Sequence, residues 1–163
     1  MKKEEVEKNQ VKAQIHTNIS ITLIFITCTI FAFVITVNND ILKDDYVLAL
    51  QLTLALPFLM SSSLAKSKIA EAANYIKSLD NFGYLCYIIG YTFFVNTIGL
   101  LLATFVSVKV SMIFFGANIV MALLYSVVIT TYNKKQVFSR LLKDGLFILL
   151  IVLGGILPAL GYY

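Results

Sequence analysis

The sequence is poor in the side chains that carry out chemistry. Its 163 residues include one histidine, His16, and two cysteines, Cys28 and Cys86. Neither cysteine has a second Cys or a His at metal-ligand spacing, and both fall inside apolar runs, where small packing residues are expected. No serine lies near a base in the pattern that nucleophilic catalysis needs. The sequence therefore predicts no catalytic residue, no metal site and no cofactor.

Charge is also scarce. Charged residues make up 13% of the chain and hydrophobic residues 59%, against roughly 25% and 45–50% in soluble domains. The mean hydropathy is +0.85. A soluble fold of this length cannot bury so much apolar surface, so lipid is the expected solvent for much of the chain. The net charge of +4 is modest, and nothing in its pattern indicates a nucleic-acid partner.

The longest stretch with almost no charge runs from Phe82 to Tyr132, and its one charged residue is Lys109. As one helix it would be about 77 Å long, more than twice the roughly 30 Å of a bilayer's hydrocarbon core. The stretch must therefore fold back near Lys109. It predicts a hairpin of two spanning helices, residues 82–107 and 110–132.

Three further apolar runs complete an all-α integral membrane protein with five transmembrane helices in one domain, residues 1–163. The five predicted spans are residues 19–37, 46–65, 82–107, 110–132 and 145–162. Residues 66–81 carry apolar and charged positions at helical spacing, which predicts a cytoplasmic amphipathic helix that lies on the membrane or extends the second span. Residues 133–144 predict a second, short amphipathic helix on the same side. An odd number of spans places the two ends of the chain on opposite sides.

The distribution of lysine and arginine predicts the orientation. Eleven of the 13 lie in the segments on the amino-terminal side of the membrane, and only Lys43 and Lys109 lie on the other side. Basic residues concentrate in cytoplasmic loops. The chain is therefore expected in the cell membrane as a multi-pass protein, with a cytoplasmic N-terminus and an external C-terminus.

Uncharged polar and small residues recur at helical spacing inside the predicted spans. Small residues allow helices to approach closely, and polar ones can bond between helices or line a pore. The polar candidates for either role are Gln51, Asn96, Asn118 and Ser126, and the candidate packing residues are Gly99, Ala103, Ser107, Ala122, Gly155 and Ala159. The stripes on the third and fourth spans are expected to face each other or a common centre.

The predicted spans contain no Asp, Glu, Lys, Arg or His, which disfavours a proton- or ion-coupled transporter. The leading hypothesis is a small membrane protein that associates with itself or with a membrane partner, forming a homo-oligomer or a larger complex, and acts as a passive channel component or a scaffold. One alternative is an interfacial lipid-modifying enzyme that uses Asp40 and Asp44, whose spacing could hold a divalent metal ion. A second alternative is a membrane subunit or effector regulated through its basic cytoplasmic segments.

Overall fold

A computed structural model describes residues 3–37, 42–43, 45–72, 76–132 and 137–162. Its helices are α1 (Lys3–Val37), α2 (Tyr46–Glu71), α3 (Lys77–Phe105), α4 (Val108–Tyr132) and α5 (Val137–Ile151), followed by a π-helical turn (Val152–Ile156) and a final short helix, α6 (Leu157–Ala159). No strand is present among the described residues. The prediction of an all-helical chain is confirmed for this part of the protein.

Five of the helical stretches are long and apolar enough to cross a bilayer, as judged by length and composition. They are Val6–Val37, Tyr46–Glu71, Lys77–Phe105, Val108–Val128 and Leu142–Ala159. Each contains most of one predicted span. The first helix has 35 residues and is therefore about 52 Å long, so it extends well beyond the roughly 30 Å of a hydrocarbon core.

The short amphipathic helices are not separate elements in the described part of the chain. Lys66 to Glu71 continues α2, and Lys77 to Asn81 begins α3. Residues 137–144 likewise belong to α5. The ends of α2 and α3 stay side by side because the Lys66 ammonium pairs with the Asp80 carboxylate. These polar segments therefore lengthen the apolar helices and do not form elements of their own.

The third helix is the centre of the bundle and contacts every other helix. In the most apolar 18-residue segment of α3, half of the residues are buried within the protein. The corresponding fractions are 17% for α1 and 11% for α4. The first helix packs mainly on α2, whereas α4 and α5 pack on α3 and on each other. Most of the apolar surface of α1 and α4 consequently faces outward, as expected for helices whose outer surroundings are lipid.

The contact between α3 and α4 is built around the side chain of Phe115, which is fully buried. A Cβ added at Gly99 would lie 2.1 Å from Phe115 Cζ, and one added at Gly155 would lie 2.6 Å from the same atom. Beside this ring, Ser111 Oγ donates a 2.7 Å hydrogen bond to the Gly99 carbonyl. The two glycines thus provide the space into which α4 inserts an aromatic ring.

The hairpin turn lies at Val106 and Ser107, just before Lys109. Ser107 was expected to pack helices, but its side chain caps α4: the Val110 N–H donates to Ser107 Oγ over 3.3 Å. The Ser107 carbonyl also accepts the first backbone bond of α4, from the Ser111 N–H. A serine at this position satisfies an N–H that the helix itself leaves unbonded.

We expect Gly99→Ala to lower the free energy of unfolding by about 1–3 kcal/mol, because the new methyl group overlaps the Phe115 ring. Gly116→Ala is the matched control, since no atom lies within 4 Å of a Cβ at that exposed position of α4. There alanine should be neutral or stabilise the helix by up to about 1 kcal/mol. Thermal unfolding in detergent measures both variants, and equal losses would contradict the proposed contact.

Candidate functional site

Three helices meet at a cluster of amides, defined here as Gln51, Asn96 and the carbonyls of Leu150 and Gly154. Asn96 Nδ2 donates to Gln51 Oε1 over 2.9 Å and to the Leu150 carbonyl over 3.0 Å. Gln51 Nε2 in turn donates to the Gly154 carbonyl. This amide cluster joins α2 and α3 to the end of α5 and the π-helical turn that follows it.

The Gly154 carbonyl lies in the π-helical turn, four residues before Pro158. Proline has no backbone N–H, so it cannot provide the bond that an α-helix would give to the carbonyl four residues earlier. That carbonyl lies inside the bundle and needs a different donor. Gln51 provides one from the neighbouring helix, which explains why an amide side chain stands in an otherwise apolar part of α2.

Glycine at position 154 lets the amides come close enough to bond. A Cβ there would lie 2.4 Å from Gln51 Nε2 and 2.7 Å from Asn96 Nδ2. Both amide side chains are buried, Asn96 completely. Asn96 Oδ1 has no hydrogen-bond partner among the described residues. The amide N–H groups of the cluster therefore bond to oxygen atoms of the protein itself. None of the groups in the cluster could act as an acid or a base.

A buried ion pair lies near the ends of α2 and α3. The Lys66 ammonium pairs with the Asp80 carboxylate, and it also donates to the Asp80 carbonyl over 3.3 Å. The Lys66 side chain is 4% exposed and the Asp80 side chain 30%. The sequence analysis did not predict this pair. Its signal was a pair of opposite charges on either side of the connection between the second and third apolar runs.

A groove of about 290 Å³ opens between α3, α4 and α5 beside this ion pair. One wall is aromatic: Tyr87 and Tyr91 stack with ring centroids 5.9 Å apart, and Tyr91 stacks on Phe147 at 6.0 Å. At its mouth the Lys143 ammonium lies 4.0 Å from the centre of the Tyr84 ring. The complete lining is Tyr84, Tyr87, Ile88, Tyr91, Asn118, Met121, Ala122, Tyr125, Lys143, Asp144 and Phe147.

The structure separates the polar residues that the sequence grouped together. Asn118 does not bond to Asn96, because its amide donates over 2.9 Å to the Phe114 carbonyl of its own helix. Asn118 and Ala122 line the groove. The remaining candidates are placed as follows: Ala103 and Ser126 are partly buried, Gly99 and Gly155 contact Phe115, and Ala159 packs against the core cluster that contains Phe115.

The two carboxylates of the alternative hypothesis, Asp40 and Asp44, lie outside the described residues. Within the described ranges no three His, Cys, Asp or Glu side chains lie close enough together to hold a metal ion. The candidate functional groups in the described part of the chain are therefore neutral amides, tyrosines and a few charged side chains at the ends of helices.

We expect Asn96→Leu to destabilise the protein more than Asn118→Leu does. The first change removes two hydrogen bonds between helices and leaves Gln51 Oε1 without its donor. The second removes only a bond within α4, at a partly exposed position. The predicted losses are about 1–3 kcal/mol for Asn96→Leu and under about 1 kcal/mol for Asn118→Leu. Denaturant or thermal unfolding in detergent measures this difference, and similar losses would contradict the assigned role of Asn96.

Comparison of the chain with models of protein families, with curated proteins and with solved structures finds no match. The amide cluster, the Lys66–Asp80 pair and the tyrosine groove are therefore the observations from which a function has to be inferred.

Proposed function

We propose that this chain is a multi-pass protein of the cell membrane that acts as a passive scaffold, with its N-terminus in the cytoplasm and its C-terminus outside. Five helices of spanning length and composition support the membrane assignment. The excess of lysine and arginine in alternate segments supports the orientation. In this orientation Lys66, Asp80 and Lys143 lie at the cytoplasmic end of the bundle.

The buried amide cluster is the observation that carries the scaffold proposal. A residue that lines a pore must present its polar atoms to water or to a passing ion. Gln51 and Asn96 are buried, and their N–H groups bond to one another and to carbonyls of the chain. The same amides that could have formed a solute path therefore hold three helices together.

A scaffold of this kind stabilises an arrangement of helices and presents surfaces to lipid or to other membrane proteins. The outer faces of α1 and α4 carry large exposed apolar side chains, among them Phe25, Phe33, Ile113 and Leu124. In a bilayer these faces contact acyl chains or the helices of a second protein. Self-association and a membrane partner are both compatible with them.

Flux measurements in liposomes test the proposal. The scaffold predicts that the wild-type protein leaves the permeability to potassium, chloride and glycerol at the level of protein-free liposomes. Asn96→Leu should then leave the flux unchanged, because Asn96 is buried between helices. A flux through the wild-type protein that falls in Asn96→Leu would contradict the scaffold and favour a pore.

Insertion and orientation need their own control, since a protein that has not inserted also produces no flux. In a background with Cys28→Ala and Cys86→Ala, Tyr162→Cys should react with a membrane-impermeant maleimide added to intact cells. Lys12→Cys should react only after the membrane is permeabilised. Both positions are exposed on the protein. Labelling of both from the outside, or of neither after permeabilisation, would contradict the proposed topology.

A further inference from the structure

We propose that the tyrosine groove between α3, α4 and α5 binds a phospholipid of the cytoplasmic leaflet whose headgroup carries both a phosphate and an ammonium group. The inference rests on the membrane placement and orientation proposed above. The ligand class follows from the length of the groove, the charges at its mouth and the side from which it is open.

The dimensions of the groove fit the border between headgroups and acyl chains. Along α3 it extends from Tyr84 to Tyr91, and along α4 from Tyr125 to Asn118. Seven residues of helix correspond to about 10 Å, so the groove enters about one third of a hydrocarbon core that is roughly 30 Å thick. Its volume of about 290 Å³ is close to the lower end of small-molecule sites.

The charges at the mouth come as an adjacent pair of opposite sign, Lys143 and Asp144, at the point where the apolar run of α5 begins. The Lys143 ammonium, which lies over the Tyr84 ring, brings a positive charge that attracts a phosphate. The Asp144 carboxylate accepts from an ammonium group and repels a second negative charge. A zwitterionic headgroup therefore complements both residues, whereas a lipid with only a negative charge complements one of them.

The aromatic wall suits the same part of a lipid. Tyr87, Tyr91 and Phe147 form a stacked series, and tyrosine is enriched where lipid headgroups meet acyl chains. On the α4 side, Met121 and Tyr125 are 65% and 67% exposed. The groove is thus open laterally, so that acyl chains can leave it toward the bilayer while the headgroup stays at its mouth.

Native mass spectrometry of the full chain, extracted from mixed micelles that contain phosphatidylethanolamine and phosphatidylglycerol in equal amounts, tests the inference. The wild-type protein should retain phosphatidylethanolamine about fivefold over phosphatidylglycerol, the effect of one charge near a membrane surface. Asp144→Asn should abolish this preference, and Lys143→Gln should lower the retention of both lipids. Lys109→Gln, which removes a lysine at the opposite end of the hairpin, should leave the ratio unchanged.

Met121→Trp is a second variant that leaves every charge in place. It fills the open side of the groove at an exposed position and should lower the retention of both lipids. Equal retention of the two lipids by the wild type, or a preference that survives Asp144→Asn, would overturn the inference. If the cysteine labelling gives the proposed topology, such a result rejects the lipid site alone; if the labelling fails, it is the membrane arrangement that is wrong.

Discussion

The structure depends on one constraint: a backbone carbonyl inside an apolar bundle needs a hydrogen-bond donor. Pro158 removes the donor for the Gly154 carbonyl, and Gln51 replaces it from a different helix. Asn96 bonds to Gln51 and to the Leu150 carbonyl. The irregular end of the fifth apolar stretch is therefore held by side chains of α2 and α3.

Around the amide cluster, the type of residue depends on whether the position lies between helices or on the outer face of the bundle. Glycines and amides lie where helices meet, because they permit close approach and provide directional bonds. Large apolar side chains face outward on α1 and α4. The described charges that pair or line a groove, Lys66, Asp80, Lys143 and Asp144, are gathered at one end of the bundle. This distribution is consistent with the proposed scaffold, and it places the proposed lipid-binding groove at the end of the bundle where these charges lie.

Composition and the length of the apolar runs were sufficient to predict five helices, and polarity alone was sufficient to single out Gln51 and Asn96. Their partners could not be predicted, because helical spacing does not tell which neighbour a face meets. The stripes of α3 and α4 were expected to face one another or a common centre. Gly99 of the α3 stripe contacts Phe115, which is not part of the α4 stripe, and Asn118 bonds within its own helix. The Lys66–Asp80 pair was missed because both residues were assigned to one amphipathic helix, whereas the structure places them on two neighbouring helices.

The most direct test of the amide cluster is a double-mutant cycle between Gln51→Leu and Pro158→Ala, with the free energy of unfolding measured in detergent. Alanine at position 158 restores an N–H for the Gly154 carbonyl, so the glutamine should matter less in that background. We expect Gln51→Leu to cost about 1–2 kcal/mol in the wild type and about half of that or less in Pro158→Ala. An equal cost in both backgrounds would contradict the claim that Gln51 replaces the donor that Pro158 removes.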